Sequence, residues 1–360
     1  MRKLFWLISA FYFWFFAIIG VYVIYLPKVL ELRGYSSLEI GIVFAMSPLM
    51  RFLTPFFFLK HFRLNKAIYK TSLLLSLVAG ALLFVTIHNF WLFLIPNILL
   101  GISFALTLPY VETIALAKIG KERYGKSRLF GSIGFIVVAL LLARFMDEPS
   151  VALWMLIATI AMTTIVGWLI DEEATKKSGT EPLDLTKYWW LWANFLLMQI
   201  SFGPFYNFFT IYESEHGLDY KTISYLWTLG VVAEIAMLYF QAPLMRSNLL
   251  RLLQISTLLT AFRWLLFFLY PDNLLVLYFA QTLHAFSFAL YYSAAISYLF
   301  ELYPNKTLAQ QFFGGISFGL GGMIGSFLAG LFYGEYLFAY AAFVALLAFL
   351  VITIPNISRR

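Results

Sequence analysis

Apolar residues run along this chain in long blocks, broken at short intervals by a few polar or turn-forming positions. A helix rises about 1.5 Å per residue, so about 20 apolar residues cross the roughly 30 Å hydrocarbon core of a bilayer. Twelve blocks reach that length, at 4–27, 39–59, 68–87, 91–117, 127–146, 150–170, 188–212, 221–243, 250–270, 274–300, 308–333 and 335–354. Some are parted only by a turn, such as His88-Asn89-Phe90 or Pro271-Asp272-Asn273. The longest polar stretch, Asp171 to Lys187, divides them into two sets of six. The pattern predicts an all-α membrane protein of twelve transmembrane helices in two six-helix bundles, 1–170 and 188–360, joined by a cytoplasmic linker at 171–187.

Composition agrees. The chain is 62% hydrophobic and 12% charged, against about 25% charged in soluble domains, so its surface suits lipid rather than water. The apolar run from Leu4 to Leu26 is longer than the core of a signal peptide and reads as a retained first span. The net charge of +7 does not mark a nucleic-acid binder, because Lys and Arg sit in short loops between apolar blocks. With the N-terminus inside, the cytoplasmic segments hold all the bases except Lys28, Arg33, Arg144 and Lys221 outside and Arg51 and Arg263 within spans. That bias places both termini in the cytoplasm and the protein in the inner membrane. Cysteine is absent, which removes thiol chemistry and thiolate-bound metal centres.

The halves repeat. Tyr35–Phe58 aligns with Tyr220–Pro243 at an offset of 185, Ser103-Phe104-Ala105-Leu106 recurs at Ser287–Leu290 at 184, and Phe130–Phe135 resembles Phe313–Phe318 at 183. Three matches in order indicate a duplication and pseudo-symmetric bundles; in transporters with such repeats the substrate site lies near the midplane. Ionisable groups within hydrocarbon are costly and usually functional. Here they are Arg51, Glu112, Glu234, Arg263 and His284, with Arg128 at the inner start of span five. Counting helical rise from the outer surface puts Glu234 ~20 Å deep, His284 ~16 Å and Arg263 ~12 Å, so these three are expected to meet. Arg51 and Glu112 lie at similar depth and are expected to pair. The repeat aligns Leu49 with Glu234, Ala236 with Arg51, Leu100 with His284 and Ile296 with Glu112. The charges therefore break the symmetry, which favours function over shared packing. The competing reading is of two structural ion pairs, Arg51–Glu112 and Arg263–Glu234. Imidazole titrates near physiological pH, which suits His284 to proton relay.

Several segments now carry a resemblance: Pro109-Tyr110-Val111-Glu112, Tyr124–Ser132, Trp227–Glu234, Phe262-Arg263-Trp264 and Gln281-Thr282-Leu283-His284. In order and position they resemble the oligosaccharide:proton symporter branch of the major facilitator superfamily, the lactose permease type and, more closely, the 3-phenylpropionate transporter group. The resemblance implies that Glu112 and Arg128 form a pair that holds substrate, that Phe135 stacks on it, and that Arg263 and His284 serve proton coupling. The branch's carboxylate three residues after the histidine is Ser287 here. Its span-eight carboxylate aligns with Val231, and Glu234 stands three residues on, on nearly the same helix face. The phenylpropionate group shares an arginine matching Arg51 and the run Gly230-Val231-Val232-Ala233-Glu234.

The expected function is proton-coupled symport of a small organic solute by alternating access. Glu234, His284 and Arg263 would couple protons; Glu112, Arg128, Phe135, Arg51, Tyr206, Asn207 and Gln281 would bind substrate. Surplus arginine favours an aromatic or small carboxylic acid; a sugar or nucleoside is the alternative. A membrane-embedded enzyme, with Glu112 and Arg51 as its pair, and a non-transporting sensor are rival classes, the first disfavoured by the duplication. Gly315-Ile316-Ser317-Phe318-Gly319 matches the serine-hydrolase G-x-S-x-G pattern but lies in an apolar run with no acid or histidine nearby; its glycines, with Gly321, Gly325, Gly330 and Gly334, suit close helix packing instead. No cofactor or metal motif appears, and a monomer is expected, with substrate, protons and lipid as partners.

Overall fold

The computed structural model describes residues 2–60, 64–145, 148–173 and 183–357. Of the bases in the charge bias, Arg63, Lys176, Lys177, Arg359 and Arg360 lie outside these residues, as does much of the 171–187 segment. Among the described residues the chain forms twelve long helices: α1 Arg2–Leu32, α2 Ser37–Lys60, α3 Lys66–Thr86, α4 Phe90–Ile119, α5 Lys121–Leu142, α6 Pro149–Trp168, α7 Trp189–Glu215, α8 Tyr220–Phe240, α9 Leu249–Leu269, α10 Leu274–Leu302, α11 Leu308–Leu331 and α12 Leu337–Ile357. Ten are long and apolar enough to cross a bilayer by themselves. α7 falls short in hydropathy because Asn194, Gln199 and its tryptophans dilute it, and α12 contributes the apolar stretch Leu337–Thr353.

Local sequence sets many of the helix starts. Asn65, Asn89, Asn248, Asn273 and Asn305 each accept a backbone N–H from the first turn of α3, α4, α9, α10 and α11, satisfying donors that a helix start leaves open. Four spans contain a π-helical turn, at Val21–Tyr25, Ala115–Ile119, Ala285–Leu290 and Gly314–Gly321. Such turns re-aim side chains and gather at functional sites; the third begins directly after His284.

The chain divides into two compact units, Met1–Lys177 with Asp219–Ser224, and Ser178–Leu218 with Tyr225–Arg360. Within the first, α1 packs on α5 and α6, and α3 on α4 and α6; within the second, α7 packs on α11 and α12, and α9 on α10 and α12. The same pattern six helices on is what the sequence duplication requires. Small residues permit the closest approaches. Gly134 lies against the backbone of Phe13, and Gly203 against that of Gly325, so close that a Cβ at either would overlap it. Gly321 and Gly325 thus perform the packing expected of the glycine series, against Leu196, Gln199 and Ile200 of α7. Buried amides bond across helices: Tyr22 donates to Asn97 at 2.6 Å in the first unit, and Tyr291 donates to Asn194 at 2.6 Å in the second.

Candidate functional site

Each unit brings together some of the charged groups that the sequence singled out. In the first, α4 brings Glu112 and α5 brings Arg128 to 3.8 Å, with the two side chains 29% and 34% exposed. Tyr124, one turn before Arg128, donates to Glu112 Oε1 at 3.4 Å. The guanidinium lies over the rings of Phe16 at 3.9 Å and Tyr12 at 5.4 Å, both from α1. Cation–π stacking fixes the guanidinium plane and leaves its N–H edge to bond elsewhere. Arg51 acts electrostatically on Glu112 without closing to ion-pair distance. The expected Arg51–Glu112 pair is therefore corrected: Arg128 is the partner, because α5 presents it across from Glu112. Phe135, seven residues after Arg128, rests against Gly20 of α1.

The second cluster is dry. Arg263 of α9 is fully covered and His284 of α10 is 6% exposed. One Arg263 Nη donates to His284 Nδ1 at 3.0 Å and to Ser287 Oγ at 3.2 Å; the other donates to Gln281 Oε1 at 2.8 Å. Phe205, Trp264 and Phe267 surround the guanidinium at 4.4, 4.6 and 5.5 Å. On the far side of the imidazole, Nε2 stands 3.6 Å from the Glu234 carboxylate of α8. Gly230, one turn before Glu234, leaves room for Gln281, whose Oε1 would lie 3.0 Å from a Cβ there.

Donor chemistry assigns the tautomer. A guanidinium only donates, so Nδ1 of His284 accepts and its proton sits on Nε2, facing Glu234. A second proton on Nδ1 would set donor against donor at Arg263. The three residues expected to meet do assemble, as a chain through His284. The alternative Arg263–Glu234 ion pair is corrected, since the guanidinium is taken up by His284, Ser287 and Gln281.

Other expected site residues divide. Gln281 joins the second cluster, with its Nε2 left unpartnered. Tyr206 stacks on Phe202 at 5.4 Å and feels the charges of Glu234 and Arg263. Asn207 donates to Ser326 at 2.7 Å and is buried between α7 and α11; its amide nitrogen is engaged in helix packing. Sequence reasoning missed Tyr12 and Phe16, whose rings lie against Arg128, and Tyr124, which donates to Glu112. It did not foresee Ser287 as an acceptor for Arg263, although the resemblance had marked that position as the branch's carboxylate.

Comparison with known proteins gives a consistent set. A profile of the MFS_1 like family matches residues 5–345. The probable 3-phenylpropionic acid transporter of Escherichia coli (strain K12) is 24% identical over 326 residues, covering 85% of this chain and 84% of that protein. Uncharacterized transporter YwbF of Bacillus subtilis (strain 168) is 24% identical over 354 residues, covering 91% and 84%. Among solved structures, the nucleoside transporter NupG superposes with a TM-score of 0.80 over 98% of this chain and 98% of that one, at 14% identity.

Proposed function

The chain belongs to the MFS_1 like family and is a multi-pass secondary transporter of the major facilitator fold, and on that premise we propose that it moves a small carboxylic acid together with protons by alternating access. The observation that carries the coupling is the buried chain from Arg263 through His284 to Glu234. Arg263 keeps its charge and His284 has no free acceptor while Arg263 holds it, so Glu234 is the group that takes the incoming proton. Neutral Glu234 attracts the Nε2–H less, His284 is freed to turn, and Arg263 loses a bond partner. A proton is thereby converted into a rearrangement of α8, α9 and α10. The hold of Glu234 on Arg263 runs through the imidazole. Ser287 supplies an uncharged acceptor where the lactose permease branch has a carboxylate, and Glu234 supplies the charge from the neighbouring helix.

Substrate falls to the first cluster. Arg128 is partly open, stacked on aromatic rings and loosely paired. A ligand carboxylate can compete for its N–H edge, and Tyr12 and Phe16 favour a ring beside it. The name of the E. coli relative points the same way. Phe135 and Arg51, from the same unit, complete this reading. We place the protein in the inner membrane with both termini cytoplasmic, acting as a monomer, on the charge bias of its loops.

The test is accumulation of labelled phenylpropionate in proteoliposomes under an inward proton gradient. Wild type should concentrate it, unlabelled monocarboxylates should compete, and sugars and nucleosides should not. Glu234→Gln should abolish uphill accumulation and spare exchange. Wild-type accumulation by that variant would sink the coupling role, and competition by sugars or nucleosides alone would transfer the substrate assignment to them.

A further inference from the structure

A second acid is buried, at the end of a span rather than within one. Glu213 lies in the last turn of α7, at the outer end in the charge-based orientation, and is fully covered by protein. Neither carboxylate oxygen has a hydrogen-bond partner. The charge that bears on it is that of Asp272, just beyond α9, which has the same sign. Other charged groups on the surrounding elements do not neutralise it. On its own helix, Glu215 accepts from Tyr333 at 2.5 Å, and at the helix end His216 Nδ1 lies 2.8 Å from the Tyr212 carbonyl. Glu335 precedes α12 and is exposed; Lys221 opens α8 and interacts with Asp219; Arg263 and Glu234 belong to the deeper cluster. The carbonyl end of a helix also disfavours an anion.

We propose that Glu213 is a second proton-binding site, a buried carboxyl that holds a proton in this conformation and exchanges it with the outer solution. An ionised carboxylate so covered and bare would lose its hydration with nothing in return, whereas the neutral acid loses far less. The ligand is a proton rather than a metal ion. A metal ion needs several ligands, and among the described residues no three acidic, histidine or cysteine side chains converge to hold one. The exchange path of this proposal runs through the end of α7. In the turn that ends α7, Leu218 N–H bonds the Glu213 carbonyl at 3.0 Å and Gly217 adopts φ +88°. Opening that one turn wets the carboxyl next to the exposed acids Asp272, Glu215 and Glu335, which concentrate protons at the rim. This site does not depend on the role given to Glu234.

Infrared difference spectroscopy of the full chain in proteoliposomes reads it directly. A protonated carboxyl gives a carbonyl stretch that shifts in heavy water. The band should be present at neutral pH, vanish reversibly as pH rises, be lost in Glu213→Gln and survive in Glu234→Gln. Glu213→Asp should retain a displaced band, which separates loss of the site from loss of the fold. Asp272→Asn should move the midpoint to lower pH, because a same-sign neighbour is removed. A band unchanged by Glu213→Gln, or lost in Glu234→Gln instead, overturns the assignment. So does a band that never titrates up to the pH at which the fold fails, which would make the acid a fixed packing group.

Discussion

The charged clusters of the two units contain similar residue types and occupy repeated scaffolds, yet they differ in surroundings. Glu112 and Arg128 stand 3.8 Å apart with about a third of each side chain exposed. Arg263 is fully covered, makes three hydrogen bonds to side chains and is wrapped by three rings. A half-solvated, loosely paired arginine has bonding capacity to offer a ligand. A dry one has spent most of that capacity within the protein, so it responds to a change in its partners rather than to a newcomer. Covering, more than residue identity, separates the two clusters, and the proposed substrate and coupling roles rest on that difference.

The largest effect should come from breaking the dry cluster. Arg263→Ala strands His284 Nδ1, Ser287 and Gln281 Oε1 in a covered site. Removing one partner of a buried charged network costs about 3–5 kcal/mol, and uphill transport should be lost with it. Arg263→Lys should recover only part, since an ammonium cannot serve His284 and Gln281 with a planar fork or stack on Phe205. Thermal unfolding in detergent and gradient-driven uptake measure both. Wild-type stability in Arg263→Ala would end the contrast between the clusters.

Much of that second cluster was legible in the sequence. Arg263, His284, Gln281 and Glu234 are polar positions inside apolar blocks at compatible depths, and depth follows from counting residues. Partner choice did not follow from depth, because it depends on rotation about each helix axis; it was the family resemblance that put Glu112 with Arg128. In α4 apolar residues occupy nearly every side, so periodicity gives no facing direction. Arg51 was therefore matched to Glu112 on depth, while α5 delivers Arg128 instead. Asn207 shows a related ambiguity: a polar residue within a span reads as a ligand group, and here its amide nitrogen bonds Ser326 between helices. Glu213 was passed over as a helix-end acid; its position along the chain implies exposure, while the packing around the end of α7 covers it.

A middle-sized effect should follow from the half-solvated pair. Glu112→Gln and Arg128→Lys should each weaken phenylpropionate binding by about tenfold, near 1.4 kcal/mol. Stability should change less than in Arg263→Ala, because this pair is partly uncovered and loosely closed. Direct binding and unfolding measured on the same preparations separate the two. If either variant unfolded as readily as Arg263→Ala, the first cluster would be structural and the substrate assignment would fall with it.

The smallest effect extends the comparison to a fully wet site. Asp171, at the foot of α6, forms ion pairs with Lys66 and with Lys70 at 3.3 Å, its side chain 70% exposed. The hydrogen bond from Lys66, then that from Lys70, holds its carboxyl below the ordinary aspartate value. A depressed folded-state pKa contributes stability that is complete above the unfolded value, about 3.9, and is lost as pH falls through the folded one. Asp171→Asn should therefore lower the unfolding midpoint slightly at neutral pH, less so in high salt, and not at all once the pH lies below both values. If Asp171→Asn instead cost as much as Arg263→Ala at neutral pH, exposure would not be what ranks the charges of this protein.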